Sequence, residues 1–74
     1  DARVQRYARE VQADLLAARS LVESNELGKA VERLTRVMNG SRDEQLKLVA
    51  RLRLARVQLA QGNLTRAARL LGMH

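Results

Sequence analysis

Apolar side chains recur along this chain at three- and four-residue spacing, the period of an amphipathic helix. Tyr7, Val11, Leu15, Ala18 and Val22 share one face of a first helix, predicted from about Arg3 to Glu23. Ser24-Asn25 interrupts it. A second helix, from about Leu27 to Met38, gathers Leu27, Ala30, Val31, Leu34, Val37 and Met38 on its apolar side. Asn39-Gly40 predicts its stop, because both residues tolerate the left-handed backbone that ends helices. Ser41-Arg42-Asp43-Glu44 reads as a capping box, with the Ser41 hydroxyl accepting from a free N–H and Glu44 reaching back. Asp43 and Glu44 also suit the positive end of a helix dipole.

The third helix, from about Asp43 to Ala60, carries two apolar stripes. At about 100° per residue, Leu48, Leu52, Ala55 and Leu59 form one, and Leu46, Ala50 and Val57 form the other. Two stripes call for two neighbours. Gln61-Gly62-Asn63 ends this helix. The fourth, from about Leu64 to Leu71, uses Leu64, Ala67, Ala68, Leu70 and Leu71 and stops near Gly72. Short loops predict antiparallel packing of consecutive helices.

A shift of 37 residues superimposes the two halves. Ala13 falls on Ala50, Leu15 on Leu52, Ala18 on Ala55 and Arg19 on Arg56. Leu27 falls on Leu64, Ala30 on Ala67 and Leu34 on Leu71, while the break at Asn25 falls on Gly62. Helix pairs at such a period predict an α-solenoid, in which stacked pairs bury what one pair cannot. The expected organisation is all-α: a single domain over residues 1–74, with repeat 1 at about 3–39 and repeat 2 at about 41–72. Ala18 and Ala55 sit midway along the first helix of each pair, and Ala30 and Ala67 early in the second. Small side chains there allow close approach, and Leu34 and Leu71 are expected to fill the space where the helices diverge. This pattern, with Gly62-Asn63 at the turn, resembles the tetratricopeptide repeat. The departures are a missing aromatic residue early in each first helix, where Asp14 and Arg51 stand, and extra length near Asn39–Asp43.

Composition narrows the picture. With 74 residues the chain is at most one small domain, modestly buried when alone. It has no cysteine, so no disulfide or thiolate metal site. No apolar run reaches the ~18 residues of a membrane span. The chain starts at Asp1 without Met, which implies a piece of a longer protein. Residues 1–44 hold eight basic and eight acidic side chains; Lys47, Arg51, Arg53, Arg56, Arg66 and Arg69 follow with no acid, and give the net charge of +6. A basic half suits an anionic partner, or is a solvated arginine-rich surface.

No constellation for catalysis, cofactor or metal is found. Ser20, Ser24 and Ser41 lack a His or Lys–carboxylate partner at a recognisable spacing. Gly28, Gly40, Gly62 and Gly72 make no phosphate loop, and His74 stands alone at the end, as a tag remnant or frayed terminus would. The chain is expected not to be an enzyme. The repeat geometry instead points to a concave polypeptide-binding face on the first and third helices: Gln12, Leu15, Arg19, Val22 and Glu23, then Val49, Leu52, Arg53, Arg56 and Leu59. Arg19 and Arg56 hold equivalent places, where a guanidinium can grip a carboxylate or peptide carbonyls; a salt bridge from Arg19 to Glu23 is the plainer alternative. Leu64, Ala68 and Leu71 lack a following helix, so the fragment is expected to self-associate, with helices exchanged between chains.

Asn25-Glu26-Leu27, Lys29-Ala30, Leu34, Ser41, Asp43-Glu44, Leu46-Lys47 and the run Leu52-Arg53-Leu54-Ala55-Arg56-Val57-Gln58 resemble the YfgM family, the ancillary subunit of the bacterial SecYEG translocon. The resemblance covers roughly residues 13–71. It implies an N-terminal membrane anchor outside this chain and a periplasm-facing repeat domain at the inner membrane, of which this chain is the first part. It also implies as partners the SecYEG translocon, a periplasmic isomerase-type chaperone and unfolded secreted clients. The alternatives are a cytoplasmic regulatory scaffold or a basic nucleic-acid-associated helical domain. Against the latter, Tyr7 is the only aromatic available for base stacking.

Overall fold

The structure is a computed structural model and describes residues 2–72. These hold four helices and no strand: α1 (Ala2–Glu23), α2 (Leu27–Gly40), α3 (Glu44–Ala60) and α4 (Leu64–Leu70). Each helix packs on the next in chain order, as antiparallel neighbours joined by short loops do. The result is a thin slab with Cα extents of 41 × 29 × 12 Å.

The turns inside the two helix pairs are built alike. Asn25 stands at φ 61°; its N–H donates to the Val22 carbonyl at 3.0 Å, and the Glu26 N–H donates to Leu21 at 2.7 Å. Gly62 stands at φ 80°; its N–H donates to Leu59 at 2.9 Å, and the Asn63 N–H donates to Gln58 at 2.8 Å. Both are Schellman closures, which satisfy carbonyls that the helix end would orphan. Every participant in the second turn lies 37 residues after its counterpart in the first. The next residue caps the following helix. Asn63 does so with its side chain, accepting from the Arg66 N–H at 3.2 Å. Glu26 makes no such bond, because Ser24 and Lys29 hold its two carboxylate oxygens, each at 3.0 Å.

The junction between the pairs departs from the expected chemistry. Asn39 and Gly40 remain helical, and α2 ends only as Ser41 takes an extended backbone. The cap of α3 is Asp43, not Ser41: its carboxylate accepts from the N–H groups of Gln45 at 2.8 Å and Leu46 at 3.4 Å. Glu44 does not reach back; it faces Lys47 at 3.5 Å. The reason lies 34 residues away. The Tyr7 hydroxyl donates to Ser41 Oγ at 2.9 Å and accepts from the Arg42 N–H at 2.8 Å. Ser41, 5 % exposed, is thereby committed to α1 and to the Asp43 N–H, and the helix start moves two residues on.

The core is continuous through three helices. Ala18, Ala30, Leu34, Leu54 and Val57 form one cluster, and Val11, Val37 and Ala50 form another. The alanines let backbones approach, as their spacing predicts. Two expectations about apolar burial fail. Of the α3 stripe Leu48, Leu52, Ala55 and Leu59, only Ala55 is buried. α3 does meet α2 and α4, but the residues it buries are Ala50, Leu54, Ala55, Val57 and Gln58, which leaves Leu48, Leu52 and Leu59 exposed. Leu71 does not fill a gap between helices either: α4 has only seven residues and ends at Leu70, with Leu71 as its C-cap, which stays exposed.

Candidate functional site

α1 and α3 stand apart above α2 and leave a groove of about 670 Å³ between them. One wall is Gln12, Leu15, Leu16, Arg19, Val22 and Glu23 of α1; the other is Arg53, Arg56 and Ala60 of α3. Ala18, Leu34 and Val57 form the floor. These floor residues belong to the core, so the base is a packed, rigid surface. The walls are held by helix pairing and also by an ion pair between α1 and α2, Asp14 to Arg33 at 3.0 Å. Asp14 stands where a tetratricopeptide repeat carries an aromatic, and this pair is what it does there instead.

Seven of the ten residues expected on a concave face line this groove: Gln12, Leu15, Arg19, Val22, Glu23, Arg53 and Arg56. Val49, Leu52 and Leu59 do not. They are the repeat equivalents of Gln12, Leu15 and Val22. α3 closes the groove with Arg53, Arg56 and Ala60, the equivalents of Leu16, Arg19 and Glu23, while Leu52 and Leu59 stay exposed outside it. Leu16 and Ala60 line the groove and are missing from the sequence expectation. The Leu15-Leu16 doublet was the available signal: about 100° apart, one leucine turns inward and the other reaches the rim.

The electrostatics are uneven. Arg19 donates to Glu23 at 3.2 Å with both side chains largely exposed; such a pair contributes at most about 1 kcal/mol and exchanges readily. Among the described residues Arg53 and Arg56 make no ion pair or side-chain hydrogen bond. The groove therefore offers an apolar floor and three guanidinium groups against one carboxylate. Glu26, at the mouth of the first turn, is held below the usual carboxylate range, chiefly by its hydrogen bond with Lys29, then by Ser24 and the Lys29 charge.

No group of acidic or histidine side chains among the described residues is arranged to hold a metal ion. No described helix is long and apolar enough to cross a membrane. His74 lies outside the described residues. No curated protein and no solved structure matched the chain. Residues 2–74 match the profile of one family. With its paired helices, alanine-lined contacts and groove between first helices, this chain belongs to the tetratricopeptide repeat-like domain family.

Proposed function

We propose that this chain is a protein-interaction module whose α1–α3 groove holds a segment of another polypeptide. Domains of this family are interaction modules rather than catalysts. The observation that carries the reading is the pairing of an apolar floor with Arg53 and Arg56, which no acid of the described chain engages. A bound segment would bury its apolar side chains against Leu15, Leu16 and Val22, above the packed floor of Leu34 and Val57, and give carboxylates or carbonyls to Arg19, Arg53 and Arg56. Glu23 competes only weakly for Arg19 because their pair is solvated. The reading is tested by titrating the chain with a reduced, alkylated and therefore permanently unfolded polypeptide. Saturable binding that Arg19→Glu plus Arg56→Glu removes supports it.

The finer proposal places the module on the periplasmic side of a bacterial inner membrane, beside the SecYEG translocon and a periplasmic chaperone. What supports it is the resemblance between Asn25 and Gln58, above all the Leu52–Gln58 run. Coprecipitation of translocon subunits with the chain, absent from an Arg19→Glu/Arg56→Glu variant, is the expected outcome. A second reading, association with nucleic acid, is favoured by one observation: six basic and no acidic residues from position 45 onward. Steeply salt-dependent binding of oligonucleotides would favour it over the groove reading.

A further inference from the structure

We infer that Arg56, which Ala60 leaves without an acid, selects what the groove holds, and that the occupant is an extended segment of a partner polypeptide in which acidic and aliphatic residues alternate. This rests on the groove being the polypeptide site and narrows the occupant to one class. The chain itself shows what pairs an arginine at this place. Arg19 donates to Glu23, one turn further along α1, at 3.2 Å. At the equivalent places 37 residues on stand Arg56 and Ala60. The second arginine keeps its position on the groove wall and loses its carboxylate. Arg53, at the place of Leu16, adds another cation to that wall. Neither Arg53 nor Arg56 makes an ion pair or side-chain hydrogen bond among the described residues, and no acid follows Glu44 in the sequence. A carboxylate from the occupant would complete on α3 the pair that α1 already holds. One solvated pair contributes little, but Arg53 and Arg56 stand one turn apart and can engage two carboxylates of the same segment.

The two walls differ in chemistry. On α1 the Arg19–Glu23 pair carries no net charge, and Leu15, Leu16 and Val22 make that wall apolar. On α3 the wall is Arg53, Arg56 and Ala60, cationic and otherwise small. An extended segment turns successive side chains to opposite sides. Laid along the groove, it gives its aliphatic residues to α1 and its acids to α3. Acids two residues apart lie about 7 Å from each other. Arg53 and Arg56 are about 4.5 Å apart along their helix axis, and their flexible side chains span the difference. The floor excludes a bulkier occupant. Ala18 of α1 and Val57 of α3 share one buried cluster with Leu34, so the walls meet at the base. A helix, about 10–12 Å across with its side chains, reaches only the rim. From Gln12 to Glu23 the α1 wall runs about 16 Å, the length of about five extended residues.

Synthetic peptides test this, acetylated and amidated so that no terminal carboxylate takes part. They are about six residues long, with leucine at alternate positions and glutamate, glutamine or lysine between. The glutamate peptide should bind the chain at least about tenfold more tightly than the glutamine one and weaken as salt is raised. The lysine peptide should bind least. Ala60→Glu, at an exposed position, gives Arg56 the partner that Arg19 has. It should keep the helical circular dichroism and cut the preference for glutamate over glutamine to below about threefold. Arg56→Gln should do the same without adding an acid. Arg51→Gln, an equal change of charge on α3 outside the groove, should leave the preference intact. The inference is overturned if the three peptides bind alike, or if a folded Ala60→Glu or Arg56→Gln variant keeps the parental preference. It is equally overturned if a helical peptide of the same composition binds more tightly than the alternating one. Where a permanently unfolded polypeptide still binds in any of these cases, the groove remains a polypeptide site and only its selectivity is refuted. If neither that polypeptide nor any peptide binds the parent, both readings fail.

Discussion

Asn25 and Gly62 do the same task with different chemistry. Each reverses the chain in the left-handed region, at φ 61° and 80°, and each is followed by the residue that caps the next helix. Asparagine tolerates that backbone less well than glycine. Asn25→Gly should therefore raise stability by about 0.5 kcal/mol, and Gly62→Ala should lower it by about 1 kcal/mol. Nothing lies within 4 Å of a Cβ built at Gly62, so the loss would come from backbone strain and not from a clash. Urea unfolding midpoints of the two variants, moving in opposite directions, check this. Tyr7 is the other residue whose role is conformational. Its hydroxyl joins α1 to the α2–α3 junction through Ser41 and Arg42. Tyr7→Phe keeps the ring and loses both bonds, and should cost about 1–2 kcal/mol in thermal unfolding. The turn at Asn25 was legible from the residue type alone. The Tyr7 latch was not, because its partners lie 34 and 35 residues away and no local spacing announces them.

At the scale of elements, helix periodicity and the 37-residue register were enough to place all four helices within about two residues, the usual scatter of helix ends. The junction at Ser41–Glu44 was misread because a capping-box pattern is local, whereas Tyr7 draws Ser41 out of the cap and leaves Asp43 to fill it. α3 was half legible. Its two apolar stripes are real, but periodicity cannot say which stripe finds a neighbour. The Ala50–Val57 side is buried, and of the other stripe only Ala55 is, while its leucines stay exposed. α2 begins with a charged arrangement that has its own signature. Glu26 is held below the usual carboxylate range by Lys29 and Ser24, so its folded-state pKa lies under the unfolded one. Its contribution is complete above the unfolded pKa and is lost as pH falls through the folded one. Stability should therefore drop on acidification through and below the ordinary carboxylate range, and Glu26→Gln should flatten that part of the curve. Denaturation midpoints measured across acid pH decide the matter.

The whole molecule is a slab one helix pair thick, 12 Å across in Cα extent. A slab this thin cannot bury both faces and both ends. It keeps a core where α1, α2 and α3 meet and leaves two apolar surfaces, the α1–α3 groove and the far end of α3 and α4. The two surfaces follow from one repeat. Leu15 and Val22 of α1 face α3 across the groove, whereas Leu52 and Leu59, at the equivalent places on α3, stay exposed among the described residues. This is why Leu15 and Val22 line the site while Leu52 and Leu59 do not, although the sequence treats them as equals. The central claim is that the groove holds polypeptide through its arginines and apolar floor. It is tested most directly by titrating a permanently unfolded polypeptide into the chain and into its Arg19→Glu/Arg56→Glu variant at one salt concentration. The expected result is saturable binding to the parent that falls at least about tenfold in the variant. Undiminished binding to a variant with parental helical content would contradict it.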